Sequence, residues 1–135
     1  MSDCRREEAL ELRSGEDIVR ARKLVRSWAV AMGFRLVDQT KIVTAASELA
    51  RNTVEYGGGG RLRLRWLVNS NRVGLQMDFM DEGPGIGDVE LAMKDGYSTG
   101  TGLGLGLSGA RRLMSEFTID SRLGAGTRVS AIKWK

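Results

Sequence analysis

The sequence predicts an α+β fold, a two-layer α/β sandwich with a mostly antiparallel sheet covered by helices on one face. Three observations lead there. Alternating apolar and polar runs come in neighbouring pairs, as hairpins do, over residues 61–79 and 117–134. Two stretches with apolar residues at helical spacing, 15–32 and 38–56, follow one another with no strand between them. The resulting order, β-α-α-β-β-(α)-α-β-β, is not that of a doubly wound parallel sheet.

Size and composition set the frame. The 135 residues fit one domain, 1–135, large enough for a core without disulfides or a structural metal. Charged residues make up 28% and hydrophobic ones 41%, as in soluble globular chains. No apolar run approaches a membrane span, and no signal peptide precedes Asp3, Arg5 and Arg6. A cytoplasmic location without a membrane partner is expected. The net charge of +4 is modest, and no dense lysine/arginine block or aromatic platform speaks for nucleic acid. Cys4 is the single cysteine, so there is no internal disulfide and no Cys/His zinc set. Histidine is absent, which removes Ser-His triads, histidine bases and phosphohistidine chemistry on this chain.

Each element has its own signal. Glu7 to Leu12 reads as a first strand. Ser14-Gly-Glu-Asp17 resembles a capping box, with the acid three positions after the serine. The helix it opens carries one apolar stripe, Ile18, Ala21, Val25, Trp28, Ala29 and Met32, and Gly33 stops it as a C′ residue. Asp38 is expected to cap a second helix running to about Tyr56. Ile42, Ala46, Leu49 and Thr53 form its apolar arc, while Glu48, Asn52 and Glu55 make a separate polar line at i, i+4, i+7. That line is either a solvated face or a site. Asparagine competes for backbone hydrogen bonds in a helix, so Asn52 one turn from Glu48 asks for a partner.

Gly57 to Gly60 stop the second helix, and a hairpin follows about Asn69-Ser-Asn71. Leu62, Leu64, Trp66 and Val68 point to the core with Val73, Leu75, Met77 and Phe79. Arg61, Arg63 and Arg65 point away, as a wet strand face or, in the lesser reading, a dock for an acidic partner. A sharp turn, Asp81-Glu-Gly-Pro-Gly85-Ile-Gly87, ends the hairpin. Asp88 to Lys94 reads as a short helix, and Asp95 to Thr99 as a polar loop. The run Gly100-Thr-Gly-Leu-Gly-Leu-Gly106 then opens a helix over Leu103 to Glu116. Such a turn is either a flexible loop or a phosphate cradle, since free N–H groups and the helix dipole meet there. It lacks the Gly-Lys-Ser/Thr of a P-loop. Phe117–Ser121 and Thr127–Trp134 form the closing hairpin about Gly124-Ala-Gly126.

Four of these features stand in one order: Glu48-x-x-x-Asn52, Asp81-x-Gly-x-Gly85, Gly102-x-Gly-x-Gly106 and Gly124-x-Gly-Thr127. Together they resemble the Bergerat (GHKL, HATPase) ATP-binding fold of gyrase-like, chaperone, histidine-kinase and mismatch-repair ATPases. The phrases Ser47-Glu-Leu-Ala-Arg-Asn52, Asp95-Gly-Tyr-Ser-Thr99, Arg112-Leu-Met-Ser-Glu-Phe117 and Ala131-Ile-Lys-Trp134 are similar to the stressosome switch-protein serine/threonine kinases, close to the anti-sigma factor kinases.

The resemblance implies roles. Asn52 would offer its amide oxygen to Mg²⁺, and Glu48 would take a proton from an attacking serine hydroxyl. Asp81 would accept a hydrogen bond from the adenine amino group of ATP, with Gly83 and Gly85 letting the base approach and Thr127 completing that pocket. Gly100, Thr101, Gly102, Leu103, Gly104 and Gly106 would hold the phosphates, under a lid over Met93 to Thr101. Tyr56 stands where many relatives have histidine. Arg51 reads as an ion pair or a phosphate or partner contact, and Tyr97 as a gate or as loop packing. The implied partners are STAS-domain substrates and a PP2C-type phosphatase or its linker, in a partner-switching stress response. The alternative is an anti-sigma factor that binds a sigma factor under nucleotide control. A detached histidine-kinase ATPase would need a phosphoacceptor histidine that this chain lacks.

Overall fold

In a computed structural model of the protein, described over residues 3–85 and 106–135, the elements follow the expected order. They are β1 (Asp3–Leu12), α1 (Gly15–Ala31), α2 (Leu36–Glu55), β2 (Gly60–Asn69), β3 (Arg72–Asp81), α3 (Gly106–Leu113), β4 (Glu116–Arg122) and β5 (Gly126–Trp134). The helix expected over Asp88 to Lys94 and the lid over Met93 to Thr101 lie outside the described residues. The strands form one antiparallel sheet in the order β1-β2-β3-β5-β4. The central hairpin pairs Asn69 with Arg72, so Ser70 and Asn71 are its two-residue turn.

The helices cover one face of the sheet. Ala21, Val25, Trp28 and Ala29 of α1 and Ile42, Ala46 and Leu49 of α2 pack with Leu62, Leu64, Leu75, Met77, Phe79 and Ala131 in one buried cluster. Full burial of a side chain such as Leu or Phe contributes about 1.5–3 kcal/mol. This cluster therefore fixes how each helix is rotated about its axis, and with it which residues face away from the core.

The cap at the start of α1 is as expected. The Asp17 carboxylate accepts the N–H of Arg13 at 2.8 Å and of Ser14 at 3.3 Å, and Arg20 Nη1 lies 2.8 Å away. The end of α1 is a Schellman turn. Gly33, at φ 82°, donates to Val30 O, and Phe34 donates to Ala29 O.

Three boundaries differ from expectation, the first being β1, which starts at Asp3 rather than Glu7. Asp38 is not the cap of α2. Phe34 is buried, and its carbonyl takes the Gln39 side-chain amide at 2.8 Å while Arg35 O takes the Gln39 N–H. The helix therefore starts at Leu36 and leaves Asp38 in the first turn, where its charge suits the dipole. The helix expected through Glu116 stops at Leu113. Ser115 N–H donates to Ile132 O, and Lys133 Nζ caps Leu113 O at 2.9 Å.

Arg63 and Arg65 do not form a wet face, although Arg61 is exposed as expected. Register sets Arg63 opposite Asp78, and Asp78 is fully buried on the side of the sheet away from the helices. Arg63 Nη2 lies 3.1 Å from its carboxylate, the Gln76 amide donates to it at 2.9 Å, and Arg128 reaches within 3.9 Å. Arg65 pairs with Glu7 at 3.2 Å. Burial alone would raise the Asp78 carboxyl, but the hydrogen bonds and the Arg63 charge outweigh it and hold it below its usual value.

Candidate nucleotide site

Helix α2 sets the first part of the site. Leu49, Ala50 and Thr53 are buried, which turns Glu48 and Asn52 together to the rim of the core. The Glu48 side chain is 13% exposed, and Arg51 Nη1 lies 3.3 Å from its Oε1. Asn52 is half-buried, and among the described residues its side-chain amide has no hydrogen-bond partner. Its backbone carbonyl accepts the N–H of both Tyr56 and Gly57 at 3.0 Å. Glu55, the third member of the polar line, is exposed.

The end of β3 sets the second part. Asp81 follows the buried Phe79 by two residues and so leaves the strand on the helix side. Its Oδ1 accepts the N–H of Gly83 at 2.9 Å and of Thr127 at 3.3 Å. Its Oδ2 carries no hydrogen bond from any described residue. Thr127 stands directly opposite Asp81 in the sheet, and its Oγ1 lies 2.8 Å from Ser121 Oγ.

The glycines close the chain around this carboxylate. A Cβ on Gly57 would collide with the Asp81 side chain, and one on Gly83 would lie 2.6 Å from Gly57 O. Gly85, at φ 77°, lets the turn approach Arg122 O, and Gly126, at φ 83°, lies against Asp81 O. Space for backbone is thus the reason for glycine at 83 and 85 among the described contacts.

Asp81 and Asn52 stand at the same end of α2, linked through Gly57, which touches the first and hydrogen-bonds the second. Gly106, at φ 66°, opens α3, which packs beside α2. Gly100, Thr101, Gly102, Leu103, Gly104 and Tyr97 lie outside the described residues. A cleft of about 940 Å³ on the open side of the sheet shares Asp81 and Thr127 with this site, and contains neither Glu48 nor Asn52. Sequence reasoning missed Gly57 as part of the site. The signal was there: four glycines in a row where one ends a helix.

Comparison with known proteins places the chain in a family. Residues 37–135 match the family described as histidine kinase-, DNA gyrase B-, and HSP90-like ATPase. The serine/threonine-protein kinase RsbT of Bacillus subtilis is 48% identical over 118 residues, covering 87% of this chain and 89% of that one. An anti-sigma F factor of Thermoanaerobacter sp. is 28% identical over 120 residues, covering 84% and 82%. Among solved structures, the RsbU and RsbW domains of a Mycobacterium tuberculosis protein align with a TM-score of 0.65 at 20% identity, over 96% of this chain and 33% of that one. The mycobacterial sensor histidine kinase MprB aligns with a TM-score of 0.56 at 19% identity, over 96% and 97%. At such identities the structural likeness is one of fold. With the family match over residues 37–135 and the relative at 48% identity, the chain belongs to the histidine kinase-, DNA gyrase B- and HSP90-like ATPases and, within them, to the RsbT-like serine/threonine kinases.

Proposed function

We propose that this protein transfers the γ-phosphoryl group of ATP to a serine or threonine of a STAS-domain switch protein in a stressosome-like module. Released from that substrate, it binds and activates a PP2C-type phosphatase. Residues 1–135 act as one kinase domain in the cytoplasm; no helix among the described residues is long and apolar enough to cross a membrane.

The observation that carries this reading is a pair of polar groups at one end of α2 that no described residue engages. Among the described residues, neither the Asn52 side-chain amide nor Asp81 Oδ2 has a hydrogen-bond partner. Half-buried polar groups left open in this way fit a ligand that completes them. The Asp81 Oδ2 suits the 6-amino group of adenine, where guanine carries an oxo group instead. Its Oδ1 is already held by two backbone N–H groups, so the carboxylate is oriented before ATP arrives. The Thr127 hydroxyl adds a second polar contact for the base. Gly106, with Gly100 to Gly104 ahead of it, would give the phosphates backbone N–H groups at the start of α3.

The Asn52 amide oxygen is a hard ligand suited to Mg²⁺, which takes few protein ligands and completes its shell with phosphate and water. Bound Mg²⁺ would neutralise charge on the phosphates. Glu48, one turn before Asn52, takes the proton of the attacking hydroxyl as its oxygen bonds to the γ-phosphorus and the bond to ADP breaks.

The test is incubation with γ-labelled ATP, Mg²⁺ and a purified STAS-domain protein. Label should move to the acceptor, and Asn52→Ala should abolish the transfer. No transfer, or transfer indifferent to Asn52→Ala, overturns the reading. The anti-sigma F factor relatives at 28% identity support a second reading, a sigma-binding module with kinase activity toward its own antagonist. Pull-downs against sigma factors and phosphatase linkers separate the two.

A further inference from the structure

Arg51 stands between Glu48 and Asn52 in the helix and is the one described residue that forms a hydrogen bond or ion pair with the Glu48 carboxylate. Its Nη1 lies 3.3 Å from Oε1. No other hydrogen bond or ion pair to Glu48 occurs among the described residues. The two partners differ in exposure, 13% for Glu48 and 42% for Arg51. An exposed pair at this helical spacing has little net effect. This pair is different, because a carboxylate largely withdrawn from water needs a donor. The guanidinium supplies one in a rigid planar fork, whereas a lysine ammonium would be a mobile point charge.

We infer that Arg51 is a positioning residue for phosphoryl transfer. It holds Glu48 by Oε1 and leaves Oε2 as the oxygen that receives the hydroxyl proton. The inference rests on the proposed role of Glu48 as base. When the hydroxyl oxygen attacks the γ-phosphorus, its proton passes to Oε2 and the bond to the ADP oxygen breaks. Arg51 takes no proton and bonds no substrate atom. Its effect is geometric: displacement of a reacting group by about 1 Å can lower a rate ~10²-fold.

The experiment measures phosphate release from γ-labelled ATP by the protein alone, with water in place of the acceptor hydroxyl. ATP affinity is followed in parallel by tryptophan fluorescence, and folding by thermal melting. Arg51→Met should lower kcat about 10- to 100-fold, with ATP affinity unchanged within about twofold. Arg51→Lys should recover part of the loss. In a Glu48→Gln background, Arg51→Met should have no further effect, because the group it positions is gone.

Three results overturn the inference. Loss of ATP affinity in Arg51→Met would make Arg51 a phosphate contact. Additive losses in the double variant would uncouple it from Glu48. Unchanged kcat in Arg51→Met, with kcat lost in Glu48→Gln, would leave Glu48 as base and Arg51 as a surface pair. The role of Glu48 itself fails by a different result, full turnover in Glu48→Gln, and the inference falls with it.

Discussion

The carboxylate of Asp81 occupies the space that a side chain at position 57 would need. Gly57 lies immediately past the C-cap of α2, so helix and sheet meet there with no room to spare. Gly57→Ala should push Asp81 from its two N–H donors. ATP affinity should fall about tenfold, with a stability loss of about 1–3 kcal/mol from overpacking. Gly58→Ala is the contrast: nothing lies near its Cβ, but its φ of 73° strains an alanine. That variant should lose ~1–2 kcal/mol of stability and keep ATP affinity. Calorimetric ATP titration with denaturant melts distinguishes the two.

Asp81→Asn tests the proposed purine contact. The asparagine oxygen can still accept from Gly83 and Thr127, so the turn should fold. The other side-chain position becomes an N–H donor, which in the proposed site would face the adenine amino group. ATP binding should weaken by ~1–3 kcal/mol with little change in melting temperature. Equal ATP affinity in the variant would remove Asp81 from the base site.

Glu48→Ala should spare ATP binding and lower turnover about 10²–10⁴-fold, the usual contribution of a general base. Steady-state kinetics with a binding titration checks it. Lost affinity with full turnover at saturation would assign Glu48 to binding.

Asp78 should be the costliest polar residue to remove. It is fully buried, and Arg63 and Gln76 are built around it. Asp78→Ala should destabilise by about 3 kcal/mol, because a half-buried guanidinium loses its counter-charge. Urea denaturation reads the loss directly. A loss under about 1 kcal/mol would mean that Glu7, 4.0 Å from Arg63, takes over the pairing.

Acid should unfold the protein through two carboxyls. Asp17 titrates below the ordinary aspartate value of 3.8, chiefly through the Arg13 N–H, with Ser14 and Arg20 adding to it against the effect of enclosure. Asp78 also lies below 3.8, its hydrogen bonds and Arg63 overcoming burial. Depressed native values mean that the unfolded chain takes up protons first as the pH falls. Their stabilisation is complete above the unfolded value, ~3.9, and is lost below it. The melting temperature should be level between about pH 5 and 7 and fall below about pH 4. Circular dichroism against pH tests this; Asp78→Asn should soften the fall.

Much of the framework is legible in the sequence because it rests on local periodicity. The stripe from Ala21 to Met32 and the arc from Ile42 to Thr53 are buried as their spacing requires, and Gly33 ends α1. Glu48 and Asn52 are legible as a pair because one helix carries both. Asp38 misleads because the start of α2 is set by Phe34 in the core, which local capping rules do not see. The burial of Asp78 is hidden for a related reason. An acid at an outward strand position reads as wet until the register sets Arg63 and Ser130 on either side of it. The contact of Asp81 with Gly57 joins segments that only the folded sheet brings together.

Strand β5 is threaded between β3 and β4, although it follows both in the chain. Removing residues 126–134 would therefore take out an interior strand and bare the facing edges of β3 and β4 at once. Bare edges of that kind recruit strands from other molecules. Clumping of this protein should thus track how well its final hairpin is docked, and any nucleotide that engages Thr127 would act as a clasp against it.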